Sequence, residues 1–467
     1  MSRIRVRMVP KTKEAASITV DLSEITPQTA KLFAPDSGRA AAALRASFNL
    51  GIAGKMTRNH SIDSMVPAER FEQLFATGLV DRERPASEHN VKSRAAAAFV
   101  SSNRELAVPE ALEDTIAFAY IPRPVEFFAA SAVAPKVSLF HLSLLDVVAA
   151  LRAGPCHRRG WTGRGIKVAM ADSGFAAHPH FDRHGYNITR VHTPETEHPM
   201  KDASGHGTGE SANVLAVAPD VHLIGVKHDD YSALALETSL EQSPRICTNS
   251  WGWDVDFRSK EELKQEDPNL FNELRDVESI VNDAIDDGVV MIFSAGNGHR
   301  AFPGSLPHVI SAGGTTVNAD ESLEASSYAS SFTSELFPGR QVPDFCGAVG
   351  EFRDSGSMKG HIMLPVPEGS ELEGDNMPAN RSPKGWGIFS GTSAAAPQVA
   401  GVAALLLSVD PDLTAEQIKS ILASTATDVT RGTTALGDSA APGHDAATGA
   451  GFVDAKAACL LAERLRQ

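Results

Sequence analysis

The sequence predicts an α/β protein: a doubly wound, mostly parallel sheet with a small N-terminal α+β domain ahead of it. Three observations carry that prediction. From residue 161 onward, apolar strands alternate with amphipathic helices, the pattern of strand–helix–strand units. One of those strands, Val289-Val290-Met291-Ile292-Phe293, is apolar throughout, as in a sheet covered on both faces. Residues 1–130 instead mix short β-type stretches with isolated helices and show no such alternation.

At the N-terminus, Ile4, Val6 and Met8 alternate with arginines, and Ile18-Thr19-Val20 is rich in β-formers. Residues 37–60 are Ala-rich and ambiguous. Residues 67–75 read as a helix with Pro67 at its start and an apolar face. A polar turn covers 81–90, a short helix begins at Pro109, and residues 116–122 form a strand. Residues 131–160 are a linking segment, with Leu145, Val148 and Leu151 at helical spacing.

Residues 161–460 form the larger domain. Ile166-Lys167-Val168-Ala169-Met170-Ala171-Asp172 is a buried strand ending in a carboxylate. A helix follows His206, with strands at 221–226 and 245–250. Residues 270–287 make a helix with Leu274, Val277, Ile280 and Val281 on one face and Gly288 as its stop. Strands follow at 289–293 and 308–314. Finally Gly391-Thr392-Ser393 turns into a small-residue helix running through Leu407. Pro397 fits that helix only in its first turn, where a missing N–H costs no hydrogen bond. Residues 332–386 read as a surface insertion, acidic and Pro/Gly-rich toward its end.

The formal net charge of −15 argues against nucleic acid as a partner. It is unevenly spread. Residues 1–136 carry 18 Lys and Arg against 15 Asp and Glu, and the remainder 25 against 43. The N-terminal third is thus suited to dock on the rest electrostatically. Cys156, Cys247, Cys346 and Cys459 show no metal-ligand spacing, and no metal or cofactor is expected. No stretch reads as a signal peptide or approaches a bilayer-spanning length, so a cytoplasmic location without membrane contact is expected. Atypical export would leave no signature.

In doubly wound sheets ligands gather at the carboxyl ends of strands, and the chemistry-bearing residues fall there. Asp172 ends one strand, Asn297 in Ser294-Ala295-Gly296-Asn297-Gly298 ends another, and His206 in Gly205-His206-Gly207-Thr208 opens a helix. Ser393 stands at the positive end of the small-residue helix, where backbone N–H groups face a developing oxyanion. A serine hydroxyl is a poor nucleophile until an imidazole takes its proton. That imidazole needs a carboxylate to fix its tautomer and stabilise its cation. An amide donor can stabilise the tetrahedral oxyanion. Singly, each residue has a plainer role as a cap, loop or turn residue; the four together do not.

With these motifs the chain resembles the subtilases, the subtilisin-like serine peptidases, over roughly residues 145–460. The matches are Val168-Ala169-Met170-Ala171-Asp172-Ser173-Gly174 with His178-Pro179, Gly205-His206-Gly207-Thr208, Ser294-Ala295-Gly296-Asn297 and Gly391-Thr392-Ser393-Ala394-Ala395-Ala396-Pro397, in the Asp…His…Ser order of that family. The resemblance implies a serine endopeptidase acting through an acyl-enzyme on protein or peptide substrates, expected to be an intracellular processing enzyme. It implies Asp172 as orienting acid, His206 as base, Ser393 as nucleophile and Asn297 in the oxyanion hole. Ser250-Trp251-Gly252 is similar to the family's substrate-binding strand, and the resemblance implies substrate binding for Ala295 and Gly296 as well; Trp251 either narrows the adjoining pocket or is a core residue. Gly209 replaces a second histidine frequent in the family, so that packing contact is absent. The short interval from His206 to Val221 places a calcium loop there in doubt.

The resemblance also implies that residues 1–130 act as a propeptide and intramolecular inhibitor leading into the cleft near 128–136; a permanent regulatory domain is the rival reading. A catalytically silent binding protein on the same fold is the alternative function, against which the intact Asp172, His206, Asn297 and Ser393 stand. An esterase of the α/β-hydrolase kind lacks support, because Gly391-Thr392-Ser393-Ala394 is no Gly-x-Ser-x-Gly elbow.

Overall fold

A computed structural model of the chain describes residues 3–466 apart from 13–25, 28, 31–33, 83–98, 124–125, 128–129, 132–140, 230, 353–357 and 375–383. The expectations at 18–20, at most of the polar turn 81–90 and at the end of the acidic stretch lie outside the described residues.

The larger domain is built on a sheet with seven parallel strands. Lys167–Asp172 lies between His222–Lys227 and Ile246–Asn249. Asn187–His192 adds on one side; Val290–Ser294 and Ile310–Val317 add on the other. Phe345–Ala348 pairs parallel with Ile310–Val317, and Leu323–Ala325 closes that end antiparallel. Early strands therefore build to one side of Lys167–Asp172 and later strands to the other. That reversal leaves a crevice at the carboxyl ends of Lys167–Asp172 and Ile246–Asn249.

Helices cover both faces. His206–Val217 and Thr392–Val409 pack on one, with Leu144–Ala150, Ala415–Thr425 and Ala455–Leu465 around them; Ser232–Glu241 and Pro268–Asp286 pack on the other. Strand residues divide accordingly: Val168 and Met170 join the first core, Ala169 the second. Pro268–Asp286 shows the local logic. Asp267 caps it by accepting from Leu270 N at 3.0 Å, Pro268 takes the first turn, and Gly288 at φ +85° follows its end. Its buried Leu274, Val277, Ile280 and Val281 each contribute about 1.5–3 kcal/mol by leaving water.

The N-terminal part is an antiparallel sheet in the order Ala53–Met56, Ile62–Pro67, Arg3–Pro10, Ile116–Tyr120, backed by the helices Ser37–Asn49 and Ala68–Phe75. The Ala-rich stretch is thus a helix, capped by Asp36, followed by a strand. Val6 and Met8 face this domain's own core with Phe71 and Phe75. Arg5 and Arg7 point the other way, onto the larger domain. Arg7 is buried, its Nε donating to Asp276 and its Nη2 to Glu237 at 2.9 Å. Arg123 Nη2 meets Asp267 at 2.5 Å, and Asn269 Oδ1 accepts from Ile121 N at 2.6 Å. The electrostatic docking expected from the charge division is present.

Four expectations need correction. Leu144–Ala150 is a helix, but it buries Leu144 and Val147, with Leu151 just beyond, while Leu145 is exposed. The described residues of 332–386 are not simply a surface insertion: Phe345–Ala348 extends the main sheet, and His361–Pro365 pairs with Trp386–Ser390, the strand that delivers Ser393. Their buried Phe345, Ala348, Ile362 and Leu364 belong to the core, which loop-like composition concealed. Pro397 is the sixth residue of Thr392–Val409, beyond the first turn. That same helix has the length and apolar composition to cross a membrane, contrary to the reading of the sequence, yet it lies 94% buried inside the protein.

Candidate active site

Asp172, His206, Asn297 and Ser393 are all fully buried, and all stand at the sheet's crevice end. Asp172 closes its strand with Oδ1 accepting from His206 Nδ1 at 2.7 Å and from Ser173 N at 2.7 Å. His206 opens the helix His206–Val217. Gly207 has to be glycine here: a Cβ would lie 2.4 Å from the Gly174 carbonyl and 2.9 Å from Asp172 Cβ. The close approach that brings imidazole to carboxylate depends on that missing atom.

The helices of His206 and Ser393 run side by side in the same direction. Gln398 Nε2 donates to Asn213 Oδ1 at 3.3 Å, and a Cβ on Gly401 would lie 2.6 Å from Val217 Cβ. These contacts are in register, so the two helix starts share one end. Just ahead of Ser393, the ring of Phe389 lies 6.5 Å from that of His206 and fills the place beside Gly209, where a Cβ would come within 2.3 Å of Phe389 Cζ. A packing contact does exist at Gly209; the aromatic ring of Phe389, from the strand Trp386–Ser390, supplies it.

Burial alone lowers the proton affinity of His206, but the Asp172 charge and hydrogen bond outweigh it, and the imidazole is pushed up to about 9. Its Nδ1–H is directed to Asp172, leaving Nε2 as the basic nitrogen.

Asn297 follows the strand Val290–Ser294, with Gly296 at φ +106° and Gly298 at φ +88° making its turn. Its Oδ1 accepts twice from Thr392, from the backbone N at 2.9 Å and from Oγ1 at 3.1 Å. Its Nδ2 has no hydrogen-bond partner among the described residues. A buried amide that spends its acceptor and keeps its donor open is suited to receive an anionic oxygen.

Of the expected substrate-binding residues, Ser250 and Gly252 flank Trp251 at the start of Trp251–Asp254. The Trp251 side chain does not narrow a pocket. It is core, with Nε1 donating to the Ala171 carbonyl at 3.0 Å and the ring edge-on to Phe293 and Trp253. Ala295 packs with Phe332 and Val342, and Gly296 N donates to Thr392 Oγ1 at 3.1 Å. The backbone of Trp251–Gly252 pairs antiparallel with Phe127–Glu126, and Phe389–Ser390 with Ser131–Ala130. The N-terminal chain therefore occupies strand edges on both sides of Ser393.

Sequence reasoning missed Asp202. Its carboxylate accepts from Gly205 N at 2.9 Å, Thr208 N at 2.9 Å, Thr208 Oγ1 at 2.6 Å and Ser173 Oγ at 2.8 Å. It thereby anchors the start of the His206 helix with a negative charge at the positive end of the dipole. An acidic residue just ahead of a glycine-rich helix start was the available signal.

A profile of the subtilase family matches residues 163–451. Subtilisin E of Bacillus subtilis (strain 168) is 26% identical over 305 residues, which cover 60% of this chain and 65% of that protein. Subtilisin Savinase of Lederbergia lenta is 27% identical over 313 residues, 64% of this chain and 97% of that protein. The chain spans about 65% of the length of the first of these relatives. In fold it is similar to fervidolysin from Fervidobacterium pennivorans, described as a keratinolytic enzyme related to subtilisin, with a TM-score of 0.60 at 17% identity, covering 98% of this chain and 61% of that one. A family match over most of the chain, on a doubly wound sheet with its Asp, His, Asn and Ser at one crevice, establishes that this chain belongs to the subtilase family.

Proposed function

We propose that the chain is a serine endopeptidase. The observation that carries this reading is the buried Asp172–His206 pair on a helix that shares its starting end with Ser393, beside an amide Nδ2 left open. In the reaction, His206 Nε2 takes the Ser393 hydroxyl proton as Oγ attacks the substrate carbonyl carbon. Asp172 stabilises the resulting imidazolium, while Asn297 Nδ2 donates to the oxyanion. The imidazolium then protonates the leaving amine. Water, deprotonated by His206, hydrolyses the acyl-enzyme and restores Ser393. The extended peptide adds as a strand to Trp251–Gly252, where Phe127–Glu126 now pairs. A fluorophosphonate probe should label the processed protein at Ser393 and abolish peptide hydrolysis; failure of wild type to react, with no hydrolysis of a peptide library, would leave the silent-binder reading in its place.

The N-terminal part serves, in this reading, as an intramolecular inhibitor removed by self-cleavage. Supporting it are the strand pairings on either side of Ser393 and the full burial of the four site residues in the intact chain. The cut is expected between Phe127 and Ala130 or shortly after, a stretch whose central residues lie outside those described. N-terminal sequencing of wild type beside Ser393→Ala tests it: a new terminus in wild type alone is expected, and identical intact termini would reject self-processing.

A further inference from the structure

The helix of His206 carries one more ionisable residue that the hydrolysis as written does not use. Glu210 stands four residues after His206, one turn along and on the same side. It is fully buried. Its Oε2 accepts from Asn213 Nδ2 at 2.8 Å, while Oε1 has no hydrogen-bond partner among the described residues. Leaving a buried acceptor unmet costs about 1–3 kcal/mol, so an apolar side chain would serve packing better. Its position is nonetheless tightly fixed. Asn213 Oδ1 accepts from Gln398 Nε2 at 3.3 Å, and Gln398 is clamped to both backbone groups of Ala348 at 2.8 and 2.9 Å. Glu210 therefore sits on a polar brace joining the helix of the base to that of the nucleophile.

The charged surroundings are lopsided. Asp172 from its strand and Asp202 from the preceding loop, which both contribute to the field at His206, would repel a Glu210 anion. From Ile310–Val317 and its neighbours come Tyr328, whose hydroxyl donates to the Val349 carbonyl, and Glu351, which accepts from Ser327 N. His361, on the strand packed against the helix, is pushed down to about 4 by burial and so is neutral. The helix Thr392–Val409 carries no Asp, Glu, Lys, Arg or His. Leu144–Ala150 offers Asp146, engaged in its own capping box. His222 and Lys227 stand at the two ends of their strand. Only His206 among these gains directly from a Glu210 anion beneath it. Burial pushes the Glu210 carboxyl up to about 8, against the pull of the His206 charge, so the two groups titrate as a pair.

We propose that Glu210 serves His206 as a second carboxyl, a positioning residue that stabilises from the buried side the imidazolium formed as Ser393 attacks. The proposal rests on the serine-peptidase reading for its consequence, but not for its first test. That test is an NMR titration of the His206 imidazole in the intact Ser393→Ala chain, with and without Glu210→Gln. Removing the anion should lower the imidazole midpoint by about one pH unit. In processed enzyme, Glu210→Gln should shift the acidic limb of the kcat profile to lower pH and reduce the alkaline plateau about tenfold, with KM unchanged. An unchanged midpoint and an unchanged profile would overturn the proposal and leave Glu210 as packing. Should Glu210→Gln fail to fold, the Glu210 carboxyl itself is titrated in Ser393→Ala with and without His206→Gln. Its midpoint should rise when the imidazole is lost, and no change would overturn the proposal. Wild type without peptidase activity would refute the serine-peptidase reading alone, since the titration does not depend on turnover.

Discussion

Ser250 and Ser393 hold each other through their backbone carbonyls: the Ser250 hydroxyl donates to the Ser393 carbonyl at 2.9 Å, and the Ser393 hydroxyl to the Ser250 carbonyl at 3.4 Å. The first bond answers the misplaced proline. In a regular helix the Ser393 carbonyl would accept from the N–H of residue 397, which proline lacks. Ser250 supplies the missing donor, tying Ser393 to the strand start on which, in the proposed reading, a peptide would lie. Ser250→Ala should therefore destabilise by about 1–3 kcal/mol and lower kcat about tenfold through misplacement of Oγ. Pro397→Ala restores a helical donor, so the double variant should recover much of both losses. Simple additivity of the two single effects, by thermal melting and kinetics, would contradict this account.

Thr392 fixes the Asn297 amide, the proposed oxyanion donor. Because both its donors go to Asn297 Oδ1, the amide cannot turn over without losing two hydrogen bonds. Asn297→Ala should reduce kcat by about 10²–10³ while barely moving KM. Thr392→Val removes one of the two bonds and should cost less, about tenfold. Equal losses for the two variants would show that Thr392 does more than orient the amide.

Much of this was legible in the residue order. Strand ends, glycine-flanked motifs and apolar runs reported the sheet and the four central side chains, because those features act over short spans. What stayed hidden depends on contacts distant in sequence. Nothing near Ser250 announces that its hydroxyl compensates for Pro397. The strand Phe345–Ala348 lies within a stretch whose glycines and prolines suggest a loop. Leu145 carries a core-type side chain at the right spacing but faces solvent, because a seven-residue helix can bury only one narrow stripe.

The Gly209 site should tolerate no side chain. A Cβ there would lie 2.3 Å from Phe389 Cζ and 3.3 Å from Leu364 Cβ, and both neighbours are themselves fully buried. Gly209→Ala is expected to destabilise by about 1–3 kcal/mol through overpacking, despite the helix propensity gained. Phe389→Leu in the same chain should return part of the loss. Melting temperatures decide the matter: a Gly209→Ala protein as stable as wild type would mean that the ring can move aside freely.

The raised proton affinity of His206 links pH to both rate and stability. With the folded imidazole at about 9 and an ordinary value of 6.5, its ionised form with Asp172 contributes stability fully present below about 6.5. That contribution is lost as pH rises through about 9. Catalysis runs the opposite way, since only neutral His206 accepts a proton, so kcat/KM should climb on the alkaline side. Asp172→Asn removes the charge and the hydrogen bond. The limb should move to lower pH while kcat falls by about 10⁴. A rate maximum below about pH 5 would contradict the assignment of His206 as base.

The hold of the N-terminal domain should turn on Arg7. Burial disfavours its charge, but Asp276 and then Glu237 more than offset that, and the guanidinium is held charged. Tyr120 donates to the same Asp276 carboxylate, and Glu237 also accepts from Asn59 N at 3.1 Å. The cluster thus spans the sheet of one domain and two helices of the other. A buried ion pair can be close to neutral against an apolar replacement, yet removing one partner strands the others at about 3–5 kcal/mol. Arg7→Met in the intact Ser393→Ala chain should therefore loosen the N-terminal domain by that amount, read as earlier melting and faster clipping by an added protease. Adding Glu237→Gln and Asp276→Asn removes the stranded charges and should recover most of the loss. Were Arg7→Met alone to melt like its parent, the cluster would contribute nothing to the hold, and the strand pairings around Ser393 would have to hold the domain unaided.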